Sequence, residues 1–353
     1  MDLLLTTKES DSSSGSSNSD SKETNESIIL SDVDSDSEEE SDSSFDIFDV
    51  GYLGKQKMVF TRTTFYETFY RQSFAFRDSL MHYIAKNPSS PKVYQKMINS
   101  CKYFFHKNPI LVSSLFCVDR HQILMDHKFI EMASLQSKFW VSEFLTIRDG
   151  TVNSKNLVAK ITSMIYKCDA KRLCFENQNV FYNDLVLLGS SVEEISFREV
   201  TVKYNDDSNV ELEKIVVAFP QAKTFEWLSY EVLSSIKKET FKELVKLPNF
   251  AKFDTFCINH IPETFDLETF FEYIKENKHT TFELAFDDSI SLPYKIRIEA
   301  IIDEILQTKP LNYKAPLLNF TEINQQKLRL LSYLHRSNRY FCVSNVLLIL
   351  LFF

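Results

Sequence analysis

The sequence predicts an α/β fold built from repeated strand-helix units. Between about residues 170 and 310, five short segments carry apolar residues at every second position, the spacing of a strand with one buried face. Most are followed by apolar residues three and four positions apart, the spacing of an amphipathic helix. One such unit cannot bury both its apolar faces alone. Consecutive units are therefore expected to stack into a curved solenoid with a long concave face.

The five strand segments are centred on Leu173 and Phe175, Ile195 and Phe197, Phe225 and Trp227, Phe256 and Ile258, and Phe282, Leu284 and Phe286. The helical positions that follow are Leu212, Ile215, Val216 and Phe219; Phe241, Leu244 and Val245; Leu267, Phe270, Phe271 and Ile274; and Ile298, Ile301, Ile302 and Ile305. The units are unequal in length and lack a regular leucine-rich consensus. An ordinary α/β domain with right-handed crossovers is the alternative that this pattern leaves open.

The charge of the chain is concentrated at its N-terminal end. Residues 1–50 hold fifteen Asp or Glu and two Lys, whereas the whole chain has a net charge of -9, so the remainder is close to neutral with a small basic excess. That excess is too dispersed for a nucleic-acid footprint, which needs a clustered basic face. Residues 1–57, rich in Ser, Asp and Glu, are predicted to be a disordered acidic tail.

A helical module is predicted at residues 58–112. Aromatic and aliphatic residues recur at helical spacing from Phe60 to Ile84, up to a break at Pro88 to Pro91. A second helix is predicted from about Val93, ending before Asn108-Pro109, because proline disfavours helix at the preceding residue. The two helices with their Pro-Ser turn would form a compact hairpin.

The segments Phe76 to Ile84 and Val93 to Phe105, with Cys101-Lys102-Tyr103-Phe104 at the end of the second, resemble a divergent F-box. The whole chain is similar to the nematode group of F-box-like proteins that carry an F-box-associated or leucine-rich-repeat-like region after the F-box. The resemblance implies an α/β protein with an N-terminal helical F-box-like hairpin and a leucine-rich-repeat-like strand-helix solenoid. It also implies an adaptor that binds the Skp-like subunit of a cullin-type ubiquitin ligase and presents a target protein.

The resemblance further implies which residues hold the module together or contact the partner. These partner-binding positions are Leu80, Ile84, Val93, Met97, Ile98, Cys101 and Phe104. The sequence does not divide the two roles among them. Any amphipathic helical hairpin would share their spacing, so the alternative is a standalone repeat scaffold for protein-protein interaction whose hairpin is only an N-terminal cap. That alternative predicts that Leu80 and Ile84 are wholly buried.

The remaining regions flank the repeats. Residues 113–169 are predicted to be a helical connector, from the positions Phe139, Trp140, Phe144 and Leu145 and a second apolar set at residues 157–165. Residues 311–353 are predicted to contain a C-terminal helix and then an apolar tail. The fourteen residues from Tyr340 to Phe353 fall short of the ~20 that a membrane span needs, so a buried strand or a mispredicted gene end is preferred over a tail anchor.

The sequence offers no complete set of catalytic residues. Only five glycines are present, and no phosphate-binding loop, nucleophile elbow or zinc-ligand spacing occurs, so no cofactor, metal or enzymatic activity is predicted. The six cysteines are scattered and no secretory signal precedes them, which indicates buried thiols in a reducing compartment. We expect a cytoplasmic or nuclear protein whose partners are the Skp-like subunit and an unidentified target, with no nucleic acid or membrane.

Overall fold

The computed structural model describes residues 27–28, 60–61, 69–119, 122–126, 128–132, 137–148, 157–230, 233–308 and 310–337. The chain divides into two units, Met1–Arg71 and Gln72–Phe353. In the first unit, strands β1 (Ser27–Ile28) and β2 (Phe60–Thr61) pair antiparallel. The predicted disordered tail at residues 1–57 otherwise lies outside the described residues.

The second unit begins with three helices: α1 (Asp78–Lys86), α2 (Pro91–Ser100) and α3 (Lys102–Lys107). The prediction of helix before Asp78 is wrong for residues 69–77, which are not helical. The second predicted helix is interrupted at Cys101, where the backbone is extended and the Sγ atom accepts a hydrogen bond from the Tyr103 N–H at 3.4 Å. The predicted helix is therefore split in two: α2 ends at Ser100, and α3 begins after Cys101, which is its N-cap.

A large mixed sheet follows. Its strands are β3 (Ile110–Asp119), β4 (Gln122–Met125), β5 (Lys128–Glu131), β6 (Lys138–Arg148), β7 (Ile165–Cys168), β8 (Arg172–Phe181), β9 (Glu194–Lys203), β10 (Thr224–Leu228), β11 (Thr255–Ile261), β12 (Thr281–Phe286) and β13 (Leu317–Asn319). The helices between and after them are α4 (Leu157–Met164), α5 (Tyr182–Gly189), α6 (Leu212–Val217), α7 (Thr240–Val245), α8 (Leu267–Glu276), α9 (Leu292–Gln307) and α10 (Gln325–Ser337), with a short 3₁₀ helix at Phe250–Lys252.

The strands lie in nearly the same order in space as in sequence. From one edge the order is β13, β12, β11, β10, β9, β8, β6, β3, β4 and β5, with β7 pairing separately with β6. All neighbouring pairs from β3 to β13 along the main path are parallel, and only the β3, β4 and β5 pairings are antiparallel. The fold is thus α/β with a large, mostly parallel sheet, as the strand-helix pattern predicted.

The register of the sheet follows the apolar pattern. Leu173 pairs with Ile195, Ile195 with Phe225, Phe225 with Phe256, and Phe256 with Phe282. This row and the row two residues further along are buried in one hydrophobic core together with the apolar faces of the following helices. Neighbouring rings pack directly: Phe225 and Phe256 stack with centroids 5.4 Å apart. A shift of one residue in any strand would move its aromatic residues out of this core.

The prediction of a helical connector at residues 113–169 is wrong. This region contains β3 to β7, and helix is confined to α4 among its described residues. The misleading positions lie on β6, where Phe139 and Leu145 face the main core while Trp140 packs in a second cluster with Tyr94 and Ile110. Because β6 carries buried apolar residues on both faces, it lacks the alternation by which a half-buried strand is recognised.

Candidate functional site

The three N-terminal helices enclose a small hydrophobic core of their own. Met81, Ala85 and Phe104 are its buried members. The partly buried side chains packed around them are Phe74, Ile84, Met97, Ile98, Cys101 and Tyr103. Phe74 lies before α1 and contacts Tyr103 edge to face, with ring centroids 4.9 Å apart. The segment before Asp78 thus contributes an aromatic side chain to this core without being helical.

The structure divides the seven predicted partner-binding residues into two groups. Phe104 is buried, and four others are half-buried around it, namely Ile84, Met97, Ile98 and Cys101. Only Leu80 and Val93 point outward, with 44% and 43% of their surfaces exposed. Five of the seven positions therefore pack within the module, and two are exposed on its surface.

Helix α1 carries an exposed apolar stripe that includes Leu80, one of the predicted partner-binding residues. Its members are 62%, 44% and 64% exposed and are Phe76, Leu80 and Tyr83, respectively. We call these three residues the outer stripe. Their spacing of four and three residues places them along one face of α1 and the turn that precedes it. Met81 and Ala85 occupy the opposite, buried face. The sequence shows two apolar faces on this helix but not which of them is turned inward.

The helical module is fastened to the sheet through α2. Tyr94 is completely buried and packs against Trp140 of β6 with ring centroids 6.5 Å apart. Its hydroxyl donates a hydrogen bond to the main-chain oxygen of Asn108, and the Asn108 side chain donates to the Ala85 carbonyl oxygen at 3.1 Å. Burial raises the pKa of Tyr94 to about 12. One buried tyrosine and one buried asparagine thus tie α1, α2 and β3 together.

The face of the sheet opposite the helices of the repeats forms a second surface. On β6, β8, β9 and β10 the alternate side chains that do not enter the core point to this side. We call it the open face; its central positions are Thr146, Cys174, Ser196 and Glu226 in one row and Arg148, Glu176, Arg198 and Leu228 in the next. All are partly exposed in the structure. The row that contains Arg148 alternates in charge from strand to strand, beginning with Asp119 on β3.

Charges on the open face surround Cys174. Burial raises the pKa of the Cys174 thiol, and the negative charge of Glu176 raises it further, whereas Arg198 and Arg148 act in the opposite direction. Arg148 and Asp119 form an ion pair, with 3.4 Å between Nε and Oδ2. Because the net effect is to raise the pKa of Cys174, this environment does not produce the thiolate that a nucleophilic cysteine requires.

Two histidines are held by carboxylates at the C-terminal half of the sheet. The Nδ1 atom of His260 lies 2.9 Å from an Asp287 carboxylate oxygen, and the other oxygen of Asp287 accepts from the Ser289 hydroxyl at 2.5 Å. His335 of α10 is buried between the Ala315 carbonyl oxygen at 2.9 Å and Glu283 at 3.2 Å. Within the described residues, no Ser, Thr or Cys side chain is hydrogen-bonded to either imidazole. These contacts connect loops and the last helix to the sheet.

The part of the chain that the structure describes contains neither a metal-binding cluster nor a membrane-spanning helix. No group of three or more His, Cys, Asp or Glu side chains there could hold a metal ion. None of the described helices has both the length and the apolar content to cross a bilayer. The apolar segment 340–353, which bears on the tail-anchor alternative, lies outside the described residues.

Comparison with known proteins returned no relative. No family model, no curated protein and no solved structure matches this chain.

Proposed function

We propose that this chain is a non-enzymatic substrate-recognition adaptor of a cullin-type ubiquitin ligase. In this proposal the module of α1, α2 and α3 is a divergent F-box that binds a Skp-like subunit. The sheet from β8 to β12 with its helices is a leucine-rich-repeat-like solenoid that binds a target protein. The outer stripe is the observation that carries the proposal, because Phe76, Leu80 and Tyr83 expose apolar surface that has no structural use within the module.

The way in which the module is held supports a positioning role. Tyr94 and Asn108 bind it firmly to the same sheet whose open face extends across β6 to β10. A partner bound at the outer stripe and a target bound on the open face would therefore keep a defined separation. An adaptor of this kind works by raising the effective concentration of a target lysine near the charged ubiquitin carrier, and it needs no catalytic residue of its own.

The direct test is a binding measurement between the purified chain and a purified Skp-like subunit. Leu80→Asp and Tyr83→Asp each place a charge in the outer stripe, and we expect each to weaken binding by at least about tenfold, since a charge buried at an interface without a partner is costly. Met97→Asp is a poor choice because Met97 packs in the module's core, so loss of binding could reflect unfolding.

Leu187→Asp is the matched control. Leu187 lies on α5 and is 65% exposed, so this variant makes the same chemical change at an exposed leucine outside the module. We expect it to bind like the wild type. The proposal fails if the wild-type chain does not bind the subunit, or if Leu187→Asp weakens binding as much as Leu80→Asp does.

The second candidate function is a standalone repeat scaffold with no ubiquitin role. The packing of Tyr94 on Trp140 favours it, because α2 shields part of the sheet as an N-terminal cap would. Its further expectation, complete burial of Leu80 and Ile84, is not met: Leu80 is 44% exposed and Ile84 is partly exposed. A wild-type chain that is folded but does not bind the Skp-like subunit would favour the scaffold.

A further inference from the structure

The helical module carries charge of almost one sign, which the count over the whole chain conceals. Residues 72–109 contain six Lys or Arg side chains and a single acid, Asp78. The rest of residues 51–353 is nearly balanced, with 33 acids and 32 bases. The small basic excess that was expected to be dispersed is therefore concentrated on the module of α1, α2 and α3.

Most cations of the module also lack a charged partner in the part of the chain that the structure describes. Four exposed side chains form no ion pair with any described residue: Arg77, Lys86, Lys92 and Lys96. In the sheet, by contrast, consecutive units pair their charges. Glu193 lies 2.9 Å from the Lys171 Nζ atom and 2.6 Å from the Lys223 Nζ atom. With a single acid of its own, the module leaves most of its positive charge uncompensated by near neighbours.

Two of these cations stand at the ends of the outer stripe. Arg77 directly follows Phe76 and is the N-cap residue of α1, and Lys86 is the last residue of that helix, three positions after Tyr83. A separation of nine positions along a helix corresponds to about 13 Å of its axis. The outer stripe is thus an apolar row with Leu80 near its centre and one cation toward each end.

The other two cations lie on α2. Lys92 and Lys96 are one turn apart and therefore share a face of the helix, beside Val93, which is also exposed. Tyr94 fixes the opposite side of α2 against Trp140 of the sheet. The face with the two lysines is accordingly turned away from the sheet and toward solvent.

We propose that the module binds a protein surface that is acidic around an apolar strip. The outer stripe forms the centre of this interface, and Arg77 and Lys86 pair with carboxylates of the partner at its rim. Lys92 and Lys96 extend the same positive potential, which speeds the encounter with an acidic partner. The inference rests on the proposed function in taking the outer stripe as an interface, and it adds the chemistry of the partner's side.

The arrangement suits a protein better than a nucleic acid or a bilayer. Single strands of nucleic acid are bound by a groove of cations with aromatic side chains on which bases stack. Here Arg77 and Lys86 are separated by an apolar row whose middle member, Leu80, is aliphatic. Membrane affinity of a surface helix scales with the apolar area that it buries, and the outer stripe offers only three side chains.

The test uses a fluorescein-labelled peptide with Leu at helical spacing and Glu at the remaining positions. It is titrated with the full-length chain in about 50 mM NaCl and followed by fluorescence anisotropy. We expect Arg77→Gln/Lys86→Gln to weaken binding by about five- to tenfold, and NaCl at about 500 mM to remove most of that difference. The matched control is Lys238→Gln/Lys278→Gln, which neutralises two exposed lysines outside the module that form no ion pair with a described residue. It should bind within about twofold of the wild type.

The inference is overturned if the wild type shows no saturable binding, or if the two double variants lose affinity equally. A peptide with Gln in place of Glu should bind at least about fivefold more weakly, and equal binding would mean that carboxylates are irrelevant. Tighter binding of phosphatidylserine vesicles or of a single-stranded oligonucleotide, dependent on Arg77 and Lys86, would replace the acidic protein with a lipid or nucleic-acid partner. Equal urea midpoints of the variants and the wild type show that a loss of affinity is not unfolding.

All variants keep the acidic residues 1–50, so competition from that segment is the same in each titration. The assay contains no ligase subunit, which separates its outcome from that of the proposed function. Peptide binding that depends on Arg77 and Lys86, in a chain that does not bind the Skp-like subunit, would refute the ligase role and support the acidic interface. Binding of the subunit without binding of the peptide would do the reverse.

Discussion

Replacing Gly189 with alanine is a sharp test of the packing between consecutive units, because two ordinary effects predict opposite results. Gly189 is the last residue of α5, and helix propensity alone favours alanine over glycine by about 0.5–1 kcal/mol. A Cβ atom at this position, however, would collide with the main-chain oxygen of Ala218 and would lie 2.8 and 2.9 Å from two carbon atoms of the Phe219 ring. The carbonyl oxygen belongs to the backbone that ends α6, so it cannot rotate away as a flexible side chain could.

The structure therefore predicts that the collision decides the sign. Inserting a methyl group into a packed interior costs about 1–3 kcal/mol, so the net change should be a destabilisation of about 0.5–2 kcal/mol after the gain in propensity. With an m-value of about 3 kcal/mol/M, the urea midpoint should fall by roughly 0.2–0.7 M at unchanged m. The fluorescence of Trp140 and Trp227, both buried in the sheet, reports the transition.

The matched control is Asn183→Ala on the same helix. Asn183 is exposed, so the substitution gains a few tenths of a kcal/mol of helix propensity without any collision. We expect its urea midpoint to equal or slightly exceed that of the wild type. If Gly189→Ala were as stable as the wild type or more so, the close approach of α5 and α6 at this point would be wrong.

Three further predictions concern the helical module, the carboxylate that precedes β9, and one buried cysteine. Tyr94→Phe removes only the hydroxyl that donates to Asn108 and should destabilise the protein by about 1–2 kcal/mol in the same urea assay, whereas Tyr83→Phe, at an exposed position, should be neutral. Hydrogen bonds from Lys223 and Lys171 lower the pKa of Glu193 to about 2. The stabilisation from this cluster should therefore be present above pH ~4.5 and be lost as the pH falls toward about 2. In a carboxyl NMR titration, Lys223→Gln should shift the Glu193 midpoint upward. Burial raises the pKa of Cys168 to about 11, so iodoacetamide at pH 8 should leave Cys168 unmodified in the native protein and modify it in urea, as read by peptide mass spectrometry.

Each of these predictions has a clear contrary result. Equal stability of Tyr94→Phe and wild type would mean that the buried hydroxyl does not join α2 to Asn108. A Glu193 midpoint near 4.5 in the wild type would mean that the two lysines are not held against it in solution. Rapid native modification of Cys168 would contradict its burial in the sheet.

The repeat region was predictable because its information is local. In β8 to β12 the apolar residues alternate over the first part of each strand, as with Ile195 and Phe197, and a strand with one buried face has to place them on that side. Phe175, Phe197 and Trp227 are register partners on adjacent strands. This register follows because each strand has to place its alternating apolar residues in the same core. The inward positions of the helices, such as Ile298 and Ile302 of α9, follow in the same way from the spacing of 3.6 residues.

The candidate sites were less predictable because they depend on which surfaces remain uncovered. Helix α1 has apolar residues on two faces, and only the packing of Phe104 and the Asn108 contact to Ala85 show that Met81 is turned inward and Leu80 outward.

The sequence alone determined the strand-helix alternation, the inward faces of the repeats and the place where the final helix forms, because each depends on the period of a short apolar pattern. The tertiary structure decided that β3 to β6 are strands and not a helical connector, and which face of α1 is exposed. The physical reason is the same in each case: these features depend on contacts between residues far apart in the chain. Packing on both faces of β6 and the pairing of charges across strands leave no periodic trace in the sequence.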